Sequence, residues 1–193
     1  MIIDDNFNRI VAGAVEILRK GKTILYPTDT IWGIGCDATN SKAVDKVYQI
    51  KRRPEDKSPI LLIDDEMKLF DYVDNIPPIA IDLINSVRNP VSIIYPRAKN
   101  LPDNVIANDG SVAIRVVKHT FCKKLINLLG KPIVSTSANI SGQATPLTYN
   151  DIAKVIFDEV DYVVSRSMEE TLEIRPSTIV KFNKEGEFEI IRS

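Results

Sequence analysis

An α/β fold is expected from this sequence on three grounds. Short apolar, largely β-branched runs at 23–26, 60–63, 91–95, 112–117 and 132–135 alternate with longer segments whose apolar residues recur at three- and four-residue steps. Compact turn-forming clusters separate the two kinds of segment. The chain has 193 residues, 44% hydrophobic and 26% charged, the balance of a globular protein able to bury one core. No repeat, low-complexity tract or Gly/Pro-rich linker divides it, so a single domain over 1–193 is expected, without an appended C-terminal domain.

Phe7, Ile10, Val11, Ala14, Val15 and Leu18 share one helical face, and Gly21 follows as a stop. The strand at 23–26 ends at Pro27 and runs into the Thr28-Asp29-Thr30 turn. Ser41 reads as the N-cap of a helix carrying Val44, Val47, Tyr48 and Lys51, which must stop before Pro54. Helical patterns at 67–73, 78–87 and 121–129 fall between the later strands. Thr148 with Asp151 resembles a capping box for a helix at 152–157. Strands at 162–164 and 178–182 follow, and Lys184-Glu185-Gly186 turns the chain into a closing hairpin strand at 187–191.

The 25 basic and 26 acidic residues argue against a surface that is basic throughout and holds nucleic acid by phosphate neutralisation alone, so an anion site must be local. Cys36 and Cys122 lie far apart, with His119 the sole histidine to join them, so a structural zinc site lacks ligands and both read as reduced thiols. The N-terminal segment has neither a basic n-region nor an apolar h-region, and no stretch has the roughly 18 apolar residues of a membrane span. A cytoplasmic protein is expected.

Four polar clusters stand at strand or helix ends: Thr28-Asp29-Thr30, Lys51-Arg52-Arg53, the segment STSANISG at 135–142, and Ser177-Thr178 after Pro176. One cationic cluster among three of hydroxyls and amides suits a multiply anionic ligand. Taken singly, the Thr28 turn and Ser177 read equally as local ST turns, and the basic run as a solvated helix end. STSANISG packs poorly by composition and is better explained by close approach of a ligand. Arg115 lies inside the apolar run VAIRV and needs a partner, either a buried acid or a substrate carboxylate. The P-loop, GxGxxG and GxSxG patterns are missing, and His119 reads as a surface or capping residue, so chemistry built on a histidine triad is not expected.

Together the clusters resemble the YrdC-like family of threonylcarbamoyl-adenylate synthases. The resemblance rests on PTDTIWGIGCDA (27–38), YQIKRRPEDKSPILL (48–62), NPVSIIYP (89–96), VAIRV (112–116), PIVSTSANISG (132–142), PSTIV (176–180) and IIR (190–192), in the family's order and spacing. It implies a twisted mixed sheet with helices around a concave, locally positive cavity. It also implies a reaction of L-threonine, bicarbonate and ATP, with Mg2+, that yields threonylcarbamoyl-AMP and pyrophosphate for the N6-threonylcarbamoyladenosine modification of tRNA. By the same resemblance Thr28, Arg115 and Ser177 bind threonine, and Lys51 and Arg53 contact phosphates and the carbamate as catalytic residues. Ser135, Ser137, Asn139 and Arg192 join them in binding ATP, Thr30 is a weaker candidate, and the metal ligands are unassigned. Lys51 is the position whose loss should cost most activity, because a mobile ammonium can follow charge as it moves. A downstream threonylcarbamoyl transferase, and contact with tRNA or double-stranded RNA, are implied partners.

Trp32, Arg52, Asn89 and Val117 depart from the family's commoner Tyr, small residue, Gly and Pro, and Ser193 stands where RPG would continue. Three alternatives are a paralogous nucleotide- or RNA-binding protein without synthase activity, a non-catalytic RNA-binding module, and a carbamoyl-transfer domain like that of hydrogenase maturation factors. Ser137-Ala138-Asn139 with the Lys51/Arg53 pair favours the synthases over the first, near-neutral charge weighs against the second, and the lack of acylphosphatase-like and zinc-finger segments weighs against the third.

Overall fold

Asp4 starts the first helix by accepting a hydrogen bond from the Phe7 N–H at 2.8 Å, a cap worth about 1 kcal/mol. The helix, α1 (Asp5–Arg19), buries Phe7, Val11, Ala14, Val15 and Leu18, and Gly21 leaves it with φ 69°, a conformation that favours glycine. The computed structural model describes residues 4–52, 58–170 and 177–192. In chain order there follow β1 (Ile24–Tyr26), β2 (Gly33–Gly35), α2 (Ser41–Lys51), β3 (Ile60–Ile63), α3 (Leu69–Tyr72), α4 (Pro78–Ser86), β4 (Val91–Tyr95) and β5 (Val112–Val116). Then come α5 (Thr120–Leu129), β6 (Ile133–Ser137), α6 (Lys154–Glu159), β7 (Tyr162–Val163), β8 (Thr178–Phe182) and β9 (Phe188–Arg192).

The strands form one mixed sheet in the order β7-β1-β2-β6-β3-β5-β4-β8-β9. β1 with β7, β3 with β5 and β4 with β8 run parallel, and the other neighbours antiparallel. Alternation along each strand sends side chains to opposite faces. Leu61, Ile63, Ile93, Ile114, Val134, Val180 and Phe182 join one core with α2 and α4. Ile24, Tyr26, Leu62 and Ile133 join the other with α1 and α5. That second core stops at β3 and β6. Beyond it, on the same face, β5 and β8 carry Arg115 and Ile179, and the lining of a cleft takes the place of a helical cover.

β2 has no counterpart among the strands expected from sequence, since Gly-Ile-Gly carries the weakest of strand propensities. Packing explains it. A Cβ at Gly35 would stand 2.3 Å from the Val134 carbonyl oxygen and 2.7 Å from Tyr26 Cε1. Tyr26 is fully buried across β2, with its hydroxyl donating to the Val134 carbonyl at 3.1 Å, so only glycine admits the ring.

Four expected boundaries move. Asn40, not Ser41, caps α2, its Oδ1 accepting from the Ala43 N–H at 3.3 Å because Asn40 holds the extended conformation from which a side chain reaches back. The Thr148–Asp151 capping box does form, but it closes a 3-10 turn at Tyr149–Asp151. Ile152 and Ala153 are then extended, and α6 starts at Lys154. The pattern at 67–73 divides into a 3-10 turn, Glu66–Lys68, and the single turn α3. β6 runs on through Ser137, since pairing with β2 (Gly33 opposite Ser137, Ile34 opposite Thr136) supplies the partner that the polar sequence concealed.

Candidate functional site

The cleft has a volume of about 280 Å³, and its wall includes Thr30, Arg115, Ser135, Ser137, Ser177 and Arg192. Among the described residues its lining contains two guanidinium groups and no carboxylate. Each strand contributes by register: β5 brings Arg115 opposite Leu62 of β3, and β6 brings Ser135 opposite Ile60. The wall is therefore rigid and electropositive, with hydroxyls between the charges, as an anionic ligand requires.

Arg115 resolves the choice that its sequence context left open. Its side chain is 4% exposed and its Nη2 lies 3.1 Å from Oδ1 of Asp29, itself 1% exposed, so the buried acid exists. Arg115 nevertheless lines the cleft, and its Nε has no hydrogen-bond partner among the described residues. A buried guanidinium with an unused donor in a cleft wall can take a second carboxylate.

Arg192 reaches the same wall through an irregularity. Val180 pairs with Ile190, yet Ile179 pairs with Arg192, so Ile191 is an extra residue in β9. The bulge puts Arg192 in register with Ile179, which also lines the cleft. There its Nε and Nη2 donate to the Ser177 carbonyl at 3.1 and 2.8 Å. The Ser177 hydroxyl sits 2.9 Å from that of Ser92. Burial, and then the nearby Arg115 charge, draw the Arg192 guanidinium below its ordinary pKa.

Lys51 is not part of a solvated helix end. It is 3% exposed at the close of α2, and its Nζ donates to the carbonyls of Ser137 and Asn139 (2.8 Å for the latter) and to Asn139 Oδ1 at 3.2 Å. The Ser141 N–H donates back to the Lys51 carbonyl at 2.8 Å. Asn139 lies outside the cleft lining and braces the loop: its Oδ1 accepts from the Ser137 hydroxyl and its Nδ2 donates to the Gln143 carbonyl. Lys51 and Asn139 thus hold the loop that leaves β6 at Ser137. Arg53 lies outside the described residues.

Thr28 forms the local turn foreseen as one of its readings. Its hydroxyl accepts from the Thr30 N–H at 3.1 Å and donates to the Ile31 carbonyl at 2.8 Å. It borders not the cleft but an adjoining cavity of about 510 Å³, whereas Thr30, the weaker candidate, borders both. Trp32 stands in the wall between them, its Nε1 donating to Glu169 at 2.7 Å. Thr145 and Asp29 were not foreseen. Thr145 carries no local signal, whereas an arginine in an apolar strand signals that an Asp29 must exist without saying where.

His119 stands at the N-cap of α5, one of its two expected places, but its side chain makes no cap hydrogen bond and is fully buried instead of lying at the surface. Neither ring nitrogen has a partner among the described residues, and burial holds its pKa below the usual value against the opposing charges of Glu170 and Asp29. The folded chain therefore resists a proton that the unfolded chain accepts, and stability should fall as pH drops below about 6.5. Carboxylates such as Asp109, held down to about 2 chiefly by the Ser111 hydroxyl and Lys181, act only below about pH 4. Urea midpoints between pH 7.5 and 5.5 should decline in the parent and be flatter in His119→Gln; equal slopes would assign the decline to another group. Cys36 and Cys122 are both buried free thiols.

Among the described residues no group of three or more His, Cys, Asp or Glu side chains is placed to hold a metal ion, and no helix is long and apolar enough to cross a membrane. The family model described as "Telomere recombination", Sua5/YciO/YrdC, matches residues 16–193. The chain belongs to this family. A Sua5/YciO/YrdC relative from Pseudoalteromonas translucida, a threonylcarbamoyl-AMP synthase, is 37% identical over 172 residues, covering 88% of this chain and 91% of its own. A synthase of the same name from Pseudomonas fluorescens is 36% identical, covering 82% and 85%. Among solved structures, P. abyssi Sua5 complexed with L-threonine superposes with a TM-score of 0.80 at 27% identity, over 91% of this chain and 51% of that one. The chain thus spans about half the length of that Sua5 structure. E. coli YciO, at 24% identity and a TM-score of 0.81, shares the mixed α/β fold over 96% of this chain and 89% of its own.

Proposed function

We propose that the protein is an L-threonylcarbamoyladenylate synthase, a nucleotidyltransferase that joins L-threonine, bicarbonate and ATP into threonylcarbamoyl-AMP, releasing pyrophosphate and water. The observation that carries this reading is the cleft wall of two guanidinium groups and four serine hydroxyls with, among the described residues, no carboxylate. Every reactant is anionic or becomes so: the threonine amine takes up the one-carbon unit as a carbamate, and that carboxylate attacks the α-phosphorus with departure of pyrophosphate. Close approach of such groups needs fixed cations and neutral donors in place of a protein nucleophile, and the work is positioning and charge stabilisation.

In this scheme Arg115 takes the threonine carboxylate through its unused Nε, with Ser177 beside it. Arg192, Ser135 and Ser137 receive the nucleotide phosphates, while Lys51 and Asn139 hold the loop that leaves β6 at Ser137. Arg53 is proposed as a further phosphate contact. The described residues offer no metal-binding cluster, so Mg2+ is proposed only as the ion that accompanies ATP on its own phosphates. The product would serve N6-threonylcarbamoyladenosine formation in tRNA, passing in the cytoplasm to a threonylcarbamoyl transferase.

Pyrophosphate release from the purified protein with ATP and Mg2+ should require both threonine and bicarbonate. Release indifferent to threonine, or salt-sensitive binding of tRNA or double-stranded RNA without any ATP turnover, would overturn this reading, the latter in favour of an RNA-binding module. Arg115→Ala should weaken threonine binding at least about 100-fold and ATP-analogue binding far less, since a charge-assisted contact is lost and the buried Asp29 is left unpaired. Equal losses would remove the carboxylate assignment.

A further inference from the structure

We propose that Asp29 is a positioning residue for substrate binding, acting on the ligand only through Arg115. The proposal rests on the reading that Arg115 receives the threonine carboxylate. Asp29 sits in the turn after β1, 2% exposed, and lines neither the cleft nor the cavity beside it. Its two oxygens face two points of one segment: Oδ1 makes an ion pair with Arg115 Nη2 at 3.1 Å without a hydrogen bond of its own among the described residues, and Oδ2 accepts the Lys118 N–H at 3.1 Å. The guanidinium is thereby fixed relative to the backbone just beyond β5, with Nε unpartnered among the described residues.

Two physical effects follow. A guanidinium buried at 4% exposure is tolerated without ligand only if a counter-charge stays with it, and Asp29 supplies that charge from behind the wall. A planar fork ion-paired at one Nη also has a preferred orientation for its remaining donors, so less side-chain freedom is lost when a carboxylate arrives. Asparagine would keep the volume and the acceptor for Lys118 but remove the charge. The turn chemistry of Thr28 and Thr30 has a matching purpose, since it sets the backbone on both sides of Asp29.

Calorimetry with L-threonine and with a non-hydrolysable ATP analogue separates the possibilities. Asp29→Asn should weaken threonine binding about tenfold, since the counter-charge is lost and an amide N–H, itself a donor, then faces the Arg115 guanidinium, with nucleotide affinity within about twofold of the parent. On an Arg115→Ala background the same substitution should add nothing further. Unchanged threonine affinity in Asp29→Asn, equal losses for both ligands, or a loss that persists without Arg115 would each overturn the positioning role. Unchanged threonine affinity in Arg115→Ala alone would instead overturn the carboxylate reading. Should Asp29→Asn not fold, the ligand-free parent carries the test. Nitrogen-15 spectra of its arginine side chains, with Arg115 assigned by Arg115→Lys, should show the Arg115 guanidinium, beside the hydrogen-bonded Arg192, with slow rotation about Cζ–Nη before threonine is added. Free rotation would overturn the proposal.

Discussion

Lys51→Ala is expected to lower threonine-dependent pyrophosphate release at least about 100-fold in a protein that remains folded. The buried ammonium holds the carbonyls of Ser137 and Asn139 and the Asn139 side chain, and the loop returns a hydrogen bond to the Lys51 carbonyl. Removing it leaves these acceptors without their donor, a cost of about 1–3 kcal/mol that the loop can escape by moving into solvent. Such a movement displaces Ser137, the last residue of β6, from the cleft wall, and a misplacement of about 1 Å is enough for the stated loss of rate. Measured separately, nucleotide affinity should fall more than threonine affinity, the reverse of Arg115→Ala. Lys51→Arg should recover little, because a planar fork does not fit acceptors arranged around a point charge. A Lys51→Ala protein with parental turnover would show that the loop is held by other means.

Gly35→Ala should have the largest effect on stability, at least about 3 kcal/mol, or roughly 10 °C in melting temperature for a chain of this size. The added carbon would meet the Val134 carbonyl oxygen at 2.3 Å and Tyr26 Cε1 at 2.7 Å, and neither can yield. Val134 belongs to β6, held on one side by β3, and the Tyr26 ring is fully buried. Gly130→Ala is the control. Its Cβ would meet nothing within 4 Å, so only the φ of 75° opposes it, at a cost of about 1–2 kcal/mol. Thermal melts that place both variants at the same temperature would contradict the steric account.

The α/β class, eight of the nine strands among the described residues and the main amphipathic helices were legible because hydrophobic period is a local property of the chain. The membership of Arg115, Ser135, Ser137 and Ser177 in one wall was foreshadowed by polar residues in places that local packing does not explain. β2 was harder. It was missed because its glycines answer to a ring and a carbonyl elsewhere in the sheet. The burial of His119 was missed for a related reason: one polar residue at a helix start gives no sign of what another element lays over it.

By itself, then, the sequence determined which segments are strands and helices, that any anion site must be a local cluster, and that an arginine within VAIRV must have a partner. Tertiary structure alone decided that the partner is Asp29, that Lys51 is enclosed by a loop, and that a bulge at Ile191 turns Arg192 toward the cleft. Periodicity and turn chemistry act over a few residues. The order and register of a mixed sheet, which bring β5, β6, β8 and β9 to one wall, are set by contacts between residues far apart in the chain.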